Sequence, residues 1–351
     1  MTLWGEVQAA LGGAPVRFGE LVLGRIDGRA VDRVGWRAVD RAMAQSTFEH
    51  GLIKVVPAVD IDQTTLVETR IGAGDIVERR PRRKPFIALL RDGATLVVNK
   101  AERVVPELRD VVECLEYAMH EAAWVNGYSC WASESAFGRH SDSHDTVILQ
   151  AEGEKHWRVH RGGGAADEVA LDAVLRPGDV MHVPIGWDHE VTGVGGETLH
   201  WTFGVVRTSP TEAIREILQL GVPLHDITTD DDDRLRRELF IARSERSPER
   251  RRGLSLPWSV RDDDLSGASF RWAARFPPTF ESAGDRVSLR SLGKSVKVAS
   301  EFTAVIEAWV SGGRVAHAQI HEMVQLSTDD VDRALRALLR ADLLLADHDD
   351  R

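Results

Sequence analysis

Between Trp124 and Val206 the chain is a succession of short β-like runs, WVNGYSC, TVILQ, HWRVH, VALDAVL, VMHVP and TLHWTFGVV, each cut off by a turn containing Gly, Pro or Asp. Closely spaced strands with turn chemistry between them pair antiparallel and curl on themselves, so this stretch predicts a sandwich or barrel. The flanks have a different period. Val31, Val34, Val39 and Met43 fall near helical spacing up to about Ala44, and LIKVVPAVDI reads as extended. ATLVVNK reads as a strand, and Pro106 to about Ala123 as a helix with Leu108, Val111, Val112, Leu115 and Met119 on one face. The bases between Arg79 and Lys84, gathered around Pro81, read as a solvated loop.

After Ser209-Pro210 the character becomes helical, first in EAIREILQLGV. Asp230 to Asp233 then precede RLRRELFIARSERSPERRRG, with acids at a helix start and arginines in its later turns, as the macrodipole favours. A looser stretch, with LPW at 256–258 and FPP at 276–278, leads to a last helical unit from about Val298 to Leu345. That unit runs EFTAVIEAWV, a Gly312-Gly313 break, AHAQIHEMV, and VDRALRALLRADLLL behind Ser327-Thr328-Asp329-Asp330. Its layout resembles a winged-helix domain, and its eight basic against ten acidic residues from 290 to 351 argue against DNA binding. A chain of 351 residues exceeds a single core, and three parts are expected: a catalytic 1–208, a helical 209–279 and a winged-helix-like 280–351.

The formal net charge of -11 argues against nonspecific nucleic-acid binding by the whole molecule, which depends on neutralising phosphates, and leaves room for a local basic patch. The two cysteines, Cys114 and Cys130, supply neither a disulfide framework nor a Cys-x-x-Cys zinc pair. The N-terminus lacks a basic start followed by an apolar stretch, and no segment reaches the roughly 18 uninterrupted apolar residues of a membrane span. The expectation is a soluble, cytoplasmic protein.

The chemistry sits in FGRHSDSHDTVILQAEGEKHWRVH. His140 and Asp142 are separated by one residue, and alternate side chains of an extended chain share a face, so both reach one metal from a single strand. A third ligand comes from PGDVMHVPIGWDHEV, where Pro177-Gly178 makes a turn, VMHVP a strand, and His189 follows on a short bend. Two imidazoles and one carboxylate form the facial triad of non-haem iron(II) oxygenases, which leaves the opposite positions open for oxygen and a chelating cosubstrate. Lys155 opens a strand of the same barrel, and an amine buried there needs an anion. Asn126 and Tyr128, two apart, project together, and so do His200 and Thr202.

The ordered set His140, Asp142, Asp145, Gln150, Gly153, Lys155, Trp157, then Gly178-Asp179, Pro184, Gly186 and His189 resembles the JmjC-type 2-oxoglutarate oxygenases, in their cupin-like ribosomal oxygenase branch. The likeness runs from about Leu90 to Val206, from DGATLVVNK through Asn126-Gly127-Tyr128 to TLHWTFG. It implies a mostly β catalytic core, a double-stranded β-helix or cupin/JmjC jelly roll with flanking helices, followed by the helical segment and the winged-helix-like domain. It implies iron(II) on His140, Asp142 and His189, the distal carboxylate of 2-oxoglutarate on Lys155, and Asn126, Tyr128 and Thr202 beside the cosubstrate. His144, His156, His160 and His182 are read as structural or supporting. The chain departs from the family pattern at Cys130-Trp131, where Thr-Pro is common, and at Gly204, where serine is frequent.

The activity so implied is hydroxylation of a protein or peptide side chain, with Arg or His of a ribosomal protein as acceptor. Its rivals are hydroxylation of a biosynthetic precursor peptide or small molecule, a noncatalytic metal-binding cupin adaptor and, less favoured, N-methyl-lysine demethylation. The acidic chain suits a basic protein partner, neither direct nucleic-acid binding nor a membrane is expected, and the helical segment is a candidate to pair two copies in a homodimer.

Overall fold

The computed structural model of the chain describes residues 3–12, 19–45, 52–56, 63–72, 77–131, 137–162, 168–223, 227, 231–246, 265–274, 277–310 and 313–348. Two compact units divide it, Met1–Arg207 and Thr208–Arg351. The LPW stretch at 256–258 lies outside the described residues.

Among the described residues the first unit has eleven strands: β1 (Val22–Arg25), β2 (Ile53–Val56), β3 (Val67–Ile71), β4 (Val77–Pro81), β5 (Thr95–Val98), β6 (Ala123–Cys130), β7 (His140–Ser141), β8 (Asp145–His160), β9 (Val169–Leu175), β10 (Asp179–Val183) and β11 (Asp188–Val205). Nine form one antiparallel sheet in the order β1-β10-β8-β11-β6-β5-β2, with β7 added to β11 and β9 to β8, while β3 and β4 pair only with each other. The mostly β core with helices expected of a JmjC/cupin fold is present.

What turns this sheet into a barrel is a bend in its two longest strands. β8 and β11 pair in two stretches, Val194↔Glu154 through Asp188↔His160 and Leu199↔Glu152 through Val205↔Asp145, with register shifts between them. The bend falls at Gly153, whose φ is +61° and where a Cβ would stand 2.2 Å from the Glu197 carbonyl oxygen. Only glycine satisfies both demands. Each long strand therefore contributes to both walls of the barrel.

The outer wall rests on the helix Pro106–Met119. Leu108, Val111, Val112, Leu115 and Met119, the face read from spacing, are buried in one cluster with Val125, Leu149, Trp201 and Phe203. Inside, Ile148, Trp157, Val159, Leu175, Met181 and Val183 form a smaller apolar cluster. Trp201 donates its indole N–H to the Val34 carbonyl at 2.6 Å, so its burial strands no polar group.

Several boundaries differ from expectation. The helix stops at Met119 because His120 takes a left-handed conformation, φ +56°, and Ala123 already begins β6. The helical stretch from Val31 is broken at Gly35 into a short turn, Asp32–Val34, and the helix Trp36–Gln45. The bases Arg79 to Lys84 are not a loop: β4 runs to Pro81 and a helix occupies Arg83–Arg91. Apart from the partly covered Pro81 they are solvent-exposed, as a run of like charges must be.

In the second unit Ser209 caps the helix Pro210–Gln219 with a reciprocal Ser209/Glu212 capping box. It packs against Asp232–Arg246, where Arg243 forks onto Glu216 with two 2.6 Å hydrogen bonds. Thr279 to Ala299, read as loose chain, is a three-stranded antiparallel meander, Thr279–Ala283, Arg286–Ser291 and Lys294–Ala299. Its signal was the alternation in RVSLRS and KSVKVA around Leu292-Gly293, both at positive φ, a two-residue hairpin turn. The helices Phe302–Val310, His317–Met323 and Thr328–Arg340 follow, packed on a sheet of Ala268–Trp272 with Val315–Ala316 and Leu344–His348. Among the described residues no helix is long and apolar enough to cross a membrane.

Candidate active site

His140 on β7 stands directly opposite His189 on β11 in the antiparallel register, which puts their ring centroids 4.4 Å apart. Asp142 follows two residues later, and one ligand atom from each of the three side chains lies within 4.8 Å of the others. His189 Nε2 is 3.8 Å from Asp142 Oδ2. The backbone fixes both imidazole tautomers. His140 Nδ1–H donates to the Gly138 carbonyl at 3.0 Å and His189 Nδ1–H to the Trp187 carbonyl at 3.3 Å, so both Nε2 lone pairs are left for a ligand. Burial, and then the neighbouring His140, push the His189 pKa down, which keeps that ring neutral. The donor set, two imidazoles that each leave Nε2 free and a carboxylate, fits a divalent metal ion.

These three residues line one side of a cavity of about 230 Å³ that continues inward to Lys155. The amine of Lys155 is fully buried and has no carboxylate partner among the described residues. Its Nζ donates to His200 Nδ1 at 2.7 Å and to the Tyr128 carbonyl at 3.4 Å. Burial drives its pKa down to about 7, against the smaller opposing influence of the nearby Cys130 sulfur. Tyr128 and Thr202 also line the cavity, and burial raises the Tyr128 phenol. Asn126 does not line it: its Oδ1 accepts the backbone N–H of Lys100 at 3.0 Å, and its side chain hydrogen-bonds Tyr128. The geometry makes Asn126 the support of Tyr128 and of the left-handed turn at Lys100.

Sequence reasoning assigned no role to His200, Trp157 or Phe137, which share the cavity wall. His200 stacks on Tyr128 with ring centroids at 5.0 Å and planes 13° apart, and meets the edge of Trp157 at 5.3 Å. Its signal was parity: it shares a face with Thr202 on β11. Phe137 is an exposed aromatic at the mouth, 5.9 Å from Tyr128 and 5.8 Å from His140 between ring centroids.

The remaining histidines are held elsewhere. His182 bridges the Glu20 carbonyl and Asp145 Oδ1, His156 pairs with Asp172, and His160 is buried at the end of β8. His144 packs on Trp124 at 4.8 Å, and both rings explain Gly204: a Cβ there would lie 2.6 Å from Trp124 and 2.8 Å from His144. Gly204→Ser is therefore expected to lower the melting temperature, by overpacking of about 1–3 kcal/mol. Calorimetry that finds Gly204→Ser as stable as the parent refutes this. Trp131, in the place of the common proline, stacks on Trp36 with centroids 5.6 Å apart.

Residues 100–213 match the JmjC domain family. The bifunctional lysine-specific demethylase and histidyl-hydroxylase of Drosophila mojavensis is 25% identical over 148 residues, 37% of this chain and 17% of that protein. Its counterpart in Culex quinquefasciatus is 24% identical over 153 residues, 39% of this chain and 23% of that one. The matched part thus spans less than a quarter of these relatives. The ribosomal oxygenase YcfD of Escherichia coli superposes with a TM-score of 0.54 at 16% identity, covering 94% of this chain and 96% of that one. The same protein in complex with cobalt and 2-oxoglutarate gives 0.52, over 93% and 95%. At that identity the likeness is one of fold.

Proposed function

We propose that this chain, which carries a JmjC domain over residues 100–213, is an iron(II)- and 2-oxoglutarate-dependent oxygenase that hydroxylates a protein side chain. The observation that carries the reading is the pairing, in one cavity, of a three-ligand group and a buried amine with no carboxylate partner among the described residues. His140, Asp142 and His189 would hold the metal, and Lys155 would take the distal carboxylate of 2-oxoglutarate. Bound there, metal and oxo acid would activate dioxygen, one oxygen atom turning an unactivated C–H into C–OH and the other entering the succinate formed as the acid loses carbon dioxide.

The protein's own contribution is binding, orientation and the exclusion of water. Tyr128, braced by Asn126, and Thr202 offer polar contacts beside the oxo acid. Trp157, tilted against His189 and edge-on to His200, walls off the interior. A cavity of about 230 Å³ is small beside the roughly 300–1,000 Å³ of pockets that enclose a drug-sized ligand. That supports a cosubstrate within and only the tip of a larger substrate entering past Phe137. The histidyl-hydroxylase relatives and the ribosomal oxygenase neighbour favour Arg or His of a ribosomal protein as that substrate. The test is mass spectrometry of ribosomal proteins treated with enzyme, iron(II) and 2-oxoglutarate, expecting a one-oxygen gain and matching succinate. Absence of both with every ribosomal fraction sinks the assignment.

Binding should also report on Lys155. The protonated amine binds the dicarboxylate, yet in the free protein it titrates at about 7. Above that pH binding draws a proton from solvent, so the Kd for 2-oxoglutarate should rise about tenfold per pH unit and level off below it. Calorimetry at pH 8 in two buffers of different ionisation enthalpy should find nearly one proton taken up; zero uptake refutes the role of Lys155.

In the second unit, the three helices on a small sheet after Ala268 support a winged-helix-like domain, and the helices Pro210–Gln219 and Asp232–Arg246 a dimerisation segment. A partner role suits the former better than DNA, given its balance of charge.

A further inference from the structure

A lysine side chain is long and flexible, and a buried amine that is to meet an anion in a defined position must be held there. Lys155 lies in the half of β8 beyond the Gly153 bend, with Gly193 opposite it on β11 and the apolar Leu175 opposite it on β9, so neither cross-strand neighbour on that wall offers its amine a polar side-chain partner. The group it meets comes from the other half of β11. His200 Nδ1 is 2.7 Å from Nζ, the shortest polar contact the amine makes. The imidazole is in turn clamped flat against Tyr128 and edge-on to Trp157. It is buried, and burial first, then the Lys155 charge, hold it neutral. A neutral ring that accepts at Nδ1 carries its proton on Nε2, so its tautomer is fixed as well.

We propose that His200 is a positioning residue of the anion subsite: its Nδ1 accepts a hydrogen bond from Lys155 and holds the amine at the inner end of the cavity, ready for a carboxylate. This rests on the oxygenase reading and adds to it a residue that acts through Lys155. The two long strands, bent at Gly153 and within 195–196, bring the pair together from opposite walls, so the barrel's curvature itself sets the subsite. An acceptor is required at this place, a cation would repel the amine and a carboxylate would compete with the incoming anion, and a neutral His, Asn or Gln meets all three conditions. Asn reaches with its Oδ1 where the imidazole has Nδ1, and Leu fills similar space with no acceptor.

The test compares His200→Leu and His200→Asn with the parent protein. 2-Oxoglutarate is titrated calorimetrically into manganese(II)-loaded protein, which needs no turnover, and steady-state constants are measured with iron(II). His200→Leu should weaken 2-oxoglutarate binding about tenfold or more, as expected for loss of a hydrogen bond to a charged donor. Its KM for 2-oxoglutarate should rise in parallel, while kcat at saturation stays within about twofold. His200→Asn should recover most of the affinity, and manganese(II) binding should be unchanged in both. The proposal falls if His200→Leu binds 2-oxoglutarate as tightly as the parent, or if Asn is no better than Leu in proteins of equal melting temperature. Parent protein that binds no 2-oxoglutarate at all overturns the oxygenase reading itself, and this one with it. Parent binding with an indifferent His200→Leu overturns this one alone.

Discussion

His189→Ala is expected to abolish the proposed hydroxylation, a loss of at least about a thousandfold, and to weaken binding of a divalent metal by more than the roughly 10- to 100-fold typical of disturbing a metal's outer partners. The argument is geometric. His140 begins β7 and Asp142 follows just past its end, whereas His189 comes from β11 and closes the group from across the strand pair. Without it, two ligands on one short segment remain, too few to hold the ion on a defined face. His182 provides the control. It is fully buried, bridges Glu20 and Asp145, and is not part of the three-ligand group. His182→Asn should cost stability and leave metal affinity near the parent value. Cobalt(II) titration followed by absorbance separates the two, and equal cobalt affinity in His189→Ala and the parent would place the metal somewhere else.

The contrast between these histidines shows what a sequence carries and what it withholds. His140 and Asp142 were legible because alternation along an extended chain is a local rule, and the spacing alone puts them on one face. The location of His189 opposite His140 is a register, and register depends on the Gly153 bend and on which strands neighbour β11. Asn126 illustrates the opposite failure. Parity correctly aligned it with Tyr128, but alignment does not say where an amide ends its reach, and the left-handed turn at Lys100 claims its oxygen. The meander from Thr279 to Ala299 was missed for a third reason: its strands alternate serine, lysine and arginine with single apolar residues, so hydropathy is low although the period is right. Trp131 and Gly204, departures from the family pattern, became intelligible only with their partners Trp36, Trp124 and His144 in place.

Lys155→Met should eliminate detectable 2-oxoglutarate binding and at the same time raise the melting temperature. An amine driven from 10.5 to about 7 by burial is a group the fold holds at a cost. The sign follows from linkage. Between about pH 7 and 10.5 the unfolded chain keeps its lysine protonated while the folded protein does not, so the parent's stability rises with pH across that window. Below about 7 both states carry the proton, and the full penalty is present. At about 1.4 kcal/mol per pKa unit the ceiling is roughly 5 kcal/mol, and the acceptor left behind on His200 returns about 1 of it. A gain of a few kcal/mol remains, or about 5–10 °C at roughly 2–4 °C per kcal/mol for a domain of this size. Methionine matches the stem in length and adds no polar atom. The gain should be largest near pH 7 and shrink toward pH 10, a trend that a mere packing improvement does not produce. Scanning calorimetry at those two values is decisive: a variant less stable than the parent at pH 7, or a difference that does not change with pH, means that Lys155 has a counter-charge in the folded protein and is not the waiting half of an anion site.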